Sequence, residues 1–553
     1  MGIIAEVSIK ENLKNKKIIK IDKRIGFSEF IKSISNKFNC KIISLGMLRD
    51  KSNEAISFGQ DDWDNLFVLA NSQGQGQGQG QDNQQIIKLI CSPHPIDWVN
   101  HIGENSIPNP NVFFSIYASN SYVPTEAKTQ LADLKSLKGV EYLIGMPDLH
   151  QGKYPVGSVV ITSCETLSDN TDENISTNLY EKRYPIYPEL VGTDIGCGMS
   201  LIKTSIKTSK YSSKQLEKIA NKMEIGKFNL TTQCEIDEHF NKFYSNDISI
   251  GSGQIKSKPI DDTWFDYYLS SNLTNLSNST NPANPIVSQS LTVSINKIKY
   301  LRTKYIDSMG TIGLGNHFVE LLQFDKAKSN ELIGKYSIDQ DHYYILVHSG
   351  SRGLGEEILQ LYMNKQIDLS QYKILHDYAV DWAIHNRFAI GKQFATFINT
   401  ELEYLVDLTH NWVEQLCMGT KTYYIHRKGA APAYDLPIVI PGSRGTRTWL
   451  VEPNKLTQSL QTGYSVSHGA GRKVSRLKAQ TGMRAKTEKD REICCQGDHD
   501  ISNIVICEDT NLFYEEAPFA YKDIQAVIDD LEHFKLAYPI CSFVPVITFK
   551  CKK

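Results

Sequence analysis

The stretch Val191-Gly-Thr-Asp-Ile-Gly-Cys-Gly-Met199 puts a carboxylate, Asp194, and a thiol, Cys197, in one turn between Gly192, Gly196 and Gly198. Asp offers a hard oxygen ligand and Cys a soft thiolate, while glycine lets backbone approach closely and take positive φ. Such a loop suits a metal ion if further ligands arrive from elsewhere. Gly310-Thr-Ile-Gly-Leu-Gly-Asn-His-Phe-Val-Glu320 carries Asn316, His317 and Glu320. Val347-His-Ser-Gly-Ser-Arg-Gly353 carries His348, Asp407-Leu-Thr-His-Asn411 carries His410 beside Asn411, and Ser465-Val-Ser-His-Gly-Ala-Gly-Arg472 carries His468. Taken singly these signals are weak. An Asp-x-x-Cys is common, a lone histidine is more often a hydrogen-bonded structural or surface residue, and His410 would serve equally as packing on a helical segment. Three of the histidines, however, lie in Gly/Ser/Asn loops whose free N–H groups suit anions. With Asp194 and Cys197, His317, His348 and His410 complete a set of five ligands. Thiolate and imidazole favour zinc, and the carboxylate with open positions also admits manganese or iron.

A second signal is local charge. The net charge is −2 over 553 residues, so the whole chain is no generic polyanion binder. Residues 421–491 nevertheless hold 14 Lys or Arg against 4 Asp or Glu, a local charge of +10 that leaves −12 for the remainder. A basic segment beside Gly-rich loops suits a polyphosphate or an RNA backbone, although a solvated face is the bland alternative.

The elements that must position these residues follow from periodicity. Residues 1–70 read as strand, strand, helix, strand, strand. The strand-like runs are Ile3–Ile9, Lys17–Ile21, Lys41–Leu48 and Leu66–Leu69. Helical spacing in Phe27–Phe38 puts Phe27, Phe30, Ile31, Ile34 and Phe38 on one side. The pattern resembles the β-grasp of ubiquitin-like, PB1 or doublecortin-type domains, and implies a protein partner rather than chemistry. Residues 71–85 contain a Gln-Gly alternation that reads as a flexible linker. The main domain begins near Ile86 or Asn111 and is taken as 86–553, with polar loop insertions at about 165–182 and 255–290. Tyr343–Val347 reads as a buried strand, Glu356–Gln366 and Tyr378–Asn399 as helices, and Tyr423–Ile425 and Ile438–Ile440 as short strands. The fold class is α+β.

Hydrophobic content of 41% and charged content of 22% are globular values. The 11 cysteines follow no disulfide framework, so a reducing compartment is expected. The start lacks a signal peptide's apolar run, and no stretch reaches membrane-spanning length. The expectation is an intracellular protein, cytoplasmic or nuclear, without membrane association.

Seven ordered motifs then carry a resemblance. They are Met146-Pro-Asp-Leu-His-Gln-Gly152, Asp194-Ile-Gly-Cys-Gly-Met199, Gly315-Asn-His-Phe318, His348-Ser-Gly-Ser-Arg-Gly353, His426-Arg-Lys-Gly-Ala430, Pro441-Gly-Ser443 and His468-Gly-Ala-Gly-Arg472. Together they resemble the RtcB family of GTP-dependent RNA ligases, from about Asn111 to the end. That family seals RNA 3′-phosphate or 2′,3′-cyclic phosphate ends to 5′-hydroxyl ends, in tRNA splicing or RNA repair. The resemblance implies a single α+β catalytic domain, GTP and two Mn²⁺ ions. Asp194, Cys197 and His317 would hold one ion. Cys197, bridging, would hold the second with His348 and His410. His468 would be the guanylylated nucleophile. Asn316, Phe318, Glu320, Asn411, the turn Pro441-Gly442-Ser443-Arg444, Thr448, Gly469, Ala470, Gly471, Tyr521 and Lys550 match guanylate-contacting positions. Glu320 is suited to accept from the guanine N–H edge, which adenine lacks. Thr448 stands where Ser is expected and Arg444 where Met is usual. The first motif continues Lys-Tyr-Pro-Val-Gly, and the chain closes Phe-Lys-Cys-Lys-Lys. These departures bear on the natural RNA substrate more than on the chemistry.

Two other classes of function share these residues. A metal-dependent RNA phosphoesterase or nuclease would need the ligands but no covalent histidine. A noncatalytic RNA-binding scaffold would need neither. GTP-dependent labelling of His468 separates the ligase from the phosphoesterase, and the intact nucleophile and five candidate ligands argue against the scaffold.

Overall fold

The run Tyr343–Val347 lies in a strand buried on both faces. Tyr344 and Leu346 enter one apolar cluster while Tyr343, Ile345 and Val347 enter another, the period-two alternation of a strand between two layers. A computed structural model describes residues 111–165, 185–222 and 285–551, and within the first 110 residues five strands together with residues 32 and 34. The chain divides into two compact units, Met1–Pro110 and Asn111–Lys553.

The first unit contains β1 (Ile3–Ile9), β2 (Asn12–Ile21), β3 (Ser44–Leu48), β4 (Ala55–Ser57) and β5 (Gln85–Ser92). They form one sheet in the order β2-β1-β5-β3-β4, with β1 and β5 parallel and the other pairs antiparallel. Lys32 and Ile34 are helical, and Ile34 is fully buried. Strand β5 therefore belongs to the first unit, so of the two candidate starts of the main domain the division falls at Asn111 and not at 86. The expected strand at 66–69 and the Gln-Gly tract before Gln85 lie outside the described residues, as does the polar insertion after residue 165.

The second unit begins with β6 (Phe113–Ile116), β7 (Val140–His150), β8 (Val156–Glu165) and β9 (Gly198–Lys207). Helix α1 (Pro285–Tyr305) precedes β10 (Phe318–Ala327) and β11 (His342–Ser349). Its first six residues correct the expected loop at 255–290: proline suits the first helical turn, where its missing N–H costs nothing. Then come α2 (Gly353–Met363), α3 (Leu369–Ile398), β12 (Leu402–Thr409), β13 (Asn411–Met418) and β14 (Lys421–Lys428). The chain continues through β15 (Ala430–Pro432), β16 (Ile438–Pro441), β17 (Thr448–Pro453), β18 (Ser465–Ser467), α4 (Arg476–Arg484), β19 (Ile504–Cys507) and β20 (Ala537–Cys551).

The larger sheet has eight strands, β12-β9-β11-β10-β20-β17-β16, with β19 alongside β20. A second sheet runs β13-β14-β8-β7-β6, and β15 pairs with β18. Register is what matters for the site. Gly198, at the start of β9, faces Ser349 on β11 and Thr409 on β12, while His348 faces Phe318 on β10. Cys197, His317, His348 and His410 thus emerge at the same end of four neighbouring strands.

Helix α3 braces that end. It starts with a capping box between Asp368 and Gln371, which satisfies two otherwise unpaired groups of its first turn, and stops at Asn399 in a left-handed cap. A Cβ on Gly196, whose φ is 79°, would come within 2.7 Å of Ala383 and 2.9 Å of Val380 on this helix. Only glycine lets the loop lie this close.

Candidate active site

The thiol of Cys197 lies 3.5 Å from Nε2 of His317 and 3.3 Å from Nε2 of His348, and Nε2 of His317 lies 2.8 Å from Oδ2 of Asp194. The ligand atoms of Cys197, His317 and His348 all fall within 4.8 Å of one another. The row of rings continues: His348 and His410 have centroids 5.1 Å apart, and His410 and His468 4.6 Å. Burial, reinforced by neighbouring histidines, holds His348 and His410 well below the ordinary imidazole range. Both rings are therefore neutral, with lone pairs available. Burial works to raise Asp194, but His317 and the amide N–H of Arg352 hold it well below the usual carboxylate range. Burial and the Asp194 charge push the Cys197 thiol up. A cation held between these groups would reverse that and take the thiolate. One sulfur, three imidazoles and one carboxylate make a donor set that fits divalent transition metals.

Backbone bonds lock the set together. The amides of His410 and Asn411 donate to the carbonyl of Cys197, and Gly196 N–H donates to the carbonyl of Asn411. Behind them, the fully buried Arg387 of α3 donates to the carbonyls of Gly196 and Ser349 and forks onto Asp407, at 2.8 and 2.5 Å. One guanidinium thereby joins the loop before β9, the end of β11 and strand β12.

His468 follows β18 and meets the end of β7. Its Nδ1 lies 2.7 Å from Oδ2 of Asp148, and its own amide donates to the same oxygen at 3.2 Å. Asp148 is fully buried. Burial is the largest single influence and works to raise it, but the bond and charge of His468 together with Lys522 and His150 outweigh burial and hold it below the usual carboxylate range, so in its ionised form it can only accept. Against this acceptor the Nδ1 of His468 is the donor, so the neutral ring would present its lone pair at Nε2. Lys522 donates to the carbonyls of Pro147 and Leu149 on either side of Asp148, and burial lowers it to about 8.

At the other end lies an acid–base cluster. Burial pushes Glu320 up to about 7, opposed by a hydrogen bond from Thr548 and by Lys550. Lys550 donates to the carbonyl of His317. Glu516 accepts from Arg472 at 2.9 Å and from the Tyr521 hydroxyl, and Arg476 reaches Glu515 at 3.1 Å.

One cavity is bordered by Asp194, Cys197, His348, His410 and His468 at one end and by Phe318, Glu320, Arg444, Tyr521 and Lys550 at the other. Asn316, Asn411, Pro441, Gly442, Ser443, Gly469, Ala470 and Gly471 complete the walls that sequence reasoning anticipated. His317 sits behind the wall, against Asp194 and Cys197. Thr448 does not line the cavity: it is buried at the start of β17, paired with Pro441 and Phe543 in the sheet beneath. The histidines expected in loops stand at strand ends, and His410 joins two strands rather than packing on a helix. Asp148, His150, Lys428, Arg476 and Glu516 were assigned no role from sequence. The available signal was Asp148 and His150 within Met-Pro-Asp-Leu-His, ionisable groups after the apolar run Leu143-Ile-Gly-Met146 of the same strand.

A sequence model of the family described as "tRNA-splicing ligase RtcB" matches residues 130–376 and 366–551. The chain is 29% identical over 462 residues to "RNA-splicing ligase RtcB2" of Escherichia coli, covering 81% of this chain and 98% of that protein. It is 27% identical to "tRNA-splicing ligase RtcB" of Nanoarchaeum equitans, covering 80% and 95%. With "RNA-splicing ligase RtcB homolog 1" of Entamoeba dispar the identity is 24%, over 78% and 83%. Motif order, the level strand ends and a family match running through both halves of the second unit converge: the chain belongs to the RtcB family.

Proposed function

We propose that this protein is an RNA ligase that joins 3′-phosphate or 2′,3′-cyclic phosphate ends to 5′-hydroxyl ends, using GTP and a guanylylated His468. The observation that carries the reading is the Asp148–His468 pair beside the thiol–imidazole cluster. With Nδ1–H donated to a buried carboxylate, Nε2 of His468 has no proton to lose and attacks the α-phosphorus of GTP. An N–P bond forms, a P–O bond breaks and pyrophosphate leaves. An oxygen of the RNA 3′-phosphate then takes the guanylyl group, breaking the N–P bond and restoring the imidazole. A cyclic phosphate end is opened to a 3′-phosphate first. The 5′-hydroxyl attacks the activated phosphate, loses its proton and expels GMP. Throughout, Asp148 offsets the positive charge that the ring gains.

Asp194, Cys197 and His317 would hold one Mn²⁺, and Cys197, His348 and His410 a second, supplying charge neutralisation on the phosphates. Glu320, Asn316, Phe318, Asn411, Ser443, Tyr521 and Lys550 would hold the guanylate. Glu320 in its ionised form accepts from the guanine N–H edge. Exposed cations such as Lys473, Arg476 and Lys478 beside the cavity suit the RNA backbone. The relatives' names support an RNA substrate, in tRNA splicing or in repair, and hence an intracellular site, cytoplasmic or nuclear. No helix among the described residues is long and apolar enough to cross a membrane.

For residues 1–110 we infer a β-grasp-like module that binds a protein partner. Its support is the strand order β2-β1-β5-β3-β4 with parallel first and last strands.

The test is incubation with α-labelled GTP and Mn²⁺, then with RNA bearing a 3′-phosphate and a 5′-hydroxyl. Acid-labile label on the protein, absent in His468→Ala, and its passage to RNA are expected. Sealing with no GTP-derived label would overturn the assignment.

A further inference from the structure

Arg444 is buried, with 7% of its surface exposed, and neither terminal nitrogen, Nη1 or Nη2, meets an oxygen or nitrogen acceptor. Leaving a guanidinium this way inside a protein is costly, because hydrogen bonds to charged groups are among the most expensive to leave unmade. Its surroundings explain how the side chain is placed. The amide of Thr446 donates to the carbonyl of Ser443, and Gly445 has φ of 76°, so Arg444 occupies the second position of a tight turn whose third position needs positive φ. The guanidinium lies 3.8 Å from the centroid of the Phe513 ring, which fixes its plane without using its N–H groups.

The carboxylate nearby is engaged elsewhere. Glu516 already accepts from Arg472 and Tyr521 and lies 3.9 Å from Lys550. The Cys495 thiol accepts from the Arg444 guanidinium and Cys507 lies near it, but thiols are weak acceptors and do not satisfy a charged fork. Arg444 borders the cavity at the end holding Glu320, Glu516 and Lys550. The unmet need is for two acceptors side by side, in a plane, at that end.

We propose that Arg444 reads the base: its paired terminal nitrogens take the O6 and N7 acceptors of guanine, opposite the edge that Glu320 takes. A guanidinium fork matches O6 and N7 in spacing and plane. Adenine presents an amino donor where guanine has O6, so the same fork repels it. Arg444 is thus a specificity-determining residue of the nucleotide site. This inference rests on the GTP-dependent reading above.

The experiment compares GTP with 7-deaza-GTP, which keeps every group except the N7 acceptor, by labelling of His468 and by equilibrium binding. The unaltered protein should favour GTP by about tenfold or more. In Arg444→Met, unbranched and uncharged, that preference should vanish and discrimination against ATP should fall by a similar factor. Arg444→Lys, a charge without a fork, should recover only part of it. Unaltered protein that binds GTP and 7-deaza-GTP equally overturns the inference without recourse to any variant. A Met variant that loses affinity for both nucleotides equally also overturns it, since Arg444 then meets a phosphate. Labelling by neither nucleotide would remove the ligase reading itself, whereas labelling without N7 preference removes this inference alone.

Discussion

In the proposed ligase, the reactivity of His468 would rest on Asp148. A histidine that donates from Nδ1 to a buried carboxylate presents one tautomer and one ring plane, and the same carboxylate would offset the charge developing on the ring in the proposed attack of Nε2 on phosphorus. Asp148→Ala should lower GTP-dependent labelling by roughly a hundredfold or more while leaving metal content unchanged. Labelling rates are the measure, and a variant within a few-fold of the parent would remove Asp148 from the mechanism. Glu320 supplies a pH dependence. Burial raises it to about 7, so its proton-bearing form is favoured in the folded protein. Its contribution to stability is present below the ordinary carboxylate range and is lost as pH rises through about 7. In the proposed guanylate site its ionised form is the one that would accept from guanine. GTP affinity should therefore strengthen from pH 6 to pH 8, by several-fold. In Glu320→Gln that dependence should flatten, and the ligand-free variant should gain thermal stability over the parent at pH 8 and not at pH 5. Binding titrations and melting curves at the two pH values check both halves.

At the scale of elements, four strand ends made level by register carry the candidate ligands, and one buried side chain ties three of these segments together. Arg387→Leu would leave Asp407 without its guanidinium partner inside the protein and free the carbonyls of Gly196 and Ser349. A loss of about 3–5 kcal/mol is expected, and with it lower retention of metal after dialysis. Chemical denaturation and elemental analysis read the two effects. Cys197→Ser should lower metal content with little loss of fold, because it replaces a thiolate with a neutral hydroxyl at the centre of the cluster. Much of this was legible from sequence, for identifiable reasons. Strand β11 announced itself as a five-residue apolar run. The loop carrying Asp194 and Cys197, the candidate metal loop, stood out through its glycines. The eight-stranded sheet was not legible, because β20 at the end of the chain pairs with β10 and β17 far before it, and no local pattern encodes such pairing. Asp148 and Arg387 escaped for a related reason. Each lies within a strand or helix whose periodicity draws attention to its apolar neighbours, and each acquires its meaning only from a partner distant in sequence.

The described residues fall into two units with separate sheets, and every proposed site residue lies in the second. The metal cluster, His468 and the cavity walls fall between Asp148 and Lys550, and the family match begins at residue 130. Removal of residues 1–110 should therefore leave GTP-dependent labelling and RNA sealing within a few-fold of the full chain. Where the cut is made should matter. A chain starting at residue 85 would keep β5, which in the full protein lies between β1 and β3. Its exposed edges and the apolar residues of Gln85-Ile-Ile-Lys-Leu-Ile-Cys-Ser92 would then be unpaired, a template for aggregation. A chain starting at residue 111 carries no such remnant. The expectation is two truncations of equal specific activity but unequal solubility, the shorter deletion forming oligomers on size-exclusion chromatography and the longer one not. If the chain starting at residue 111 folds, as judged by circular dichroism, and still fails to label with GTP, then the first unit contributes to the nucleotide site and the division of labour argued here is wrong. If it labels but fails to seal RNA, the first unit belongs to the RNA path instead of to a protein partner.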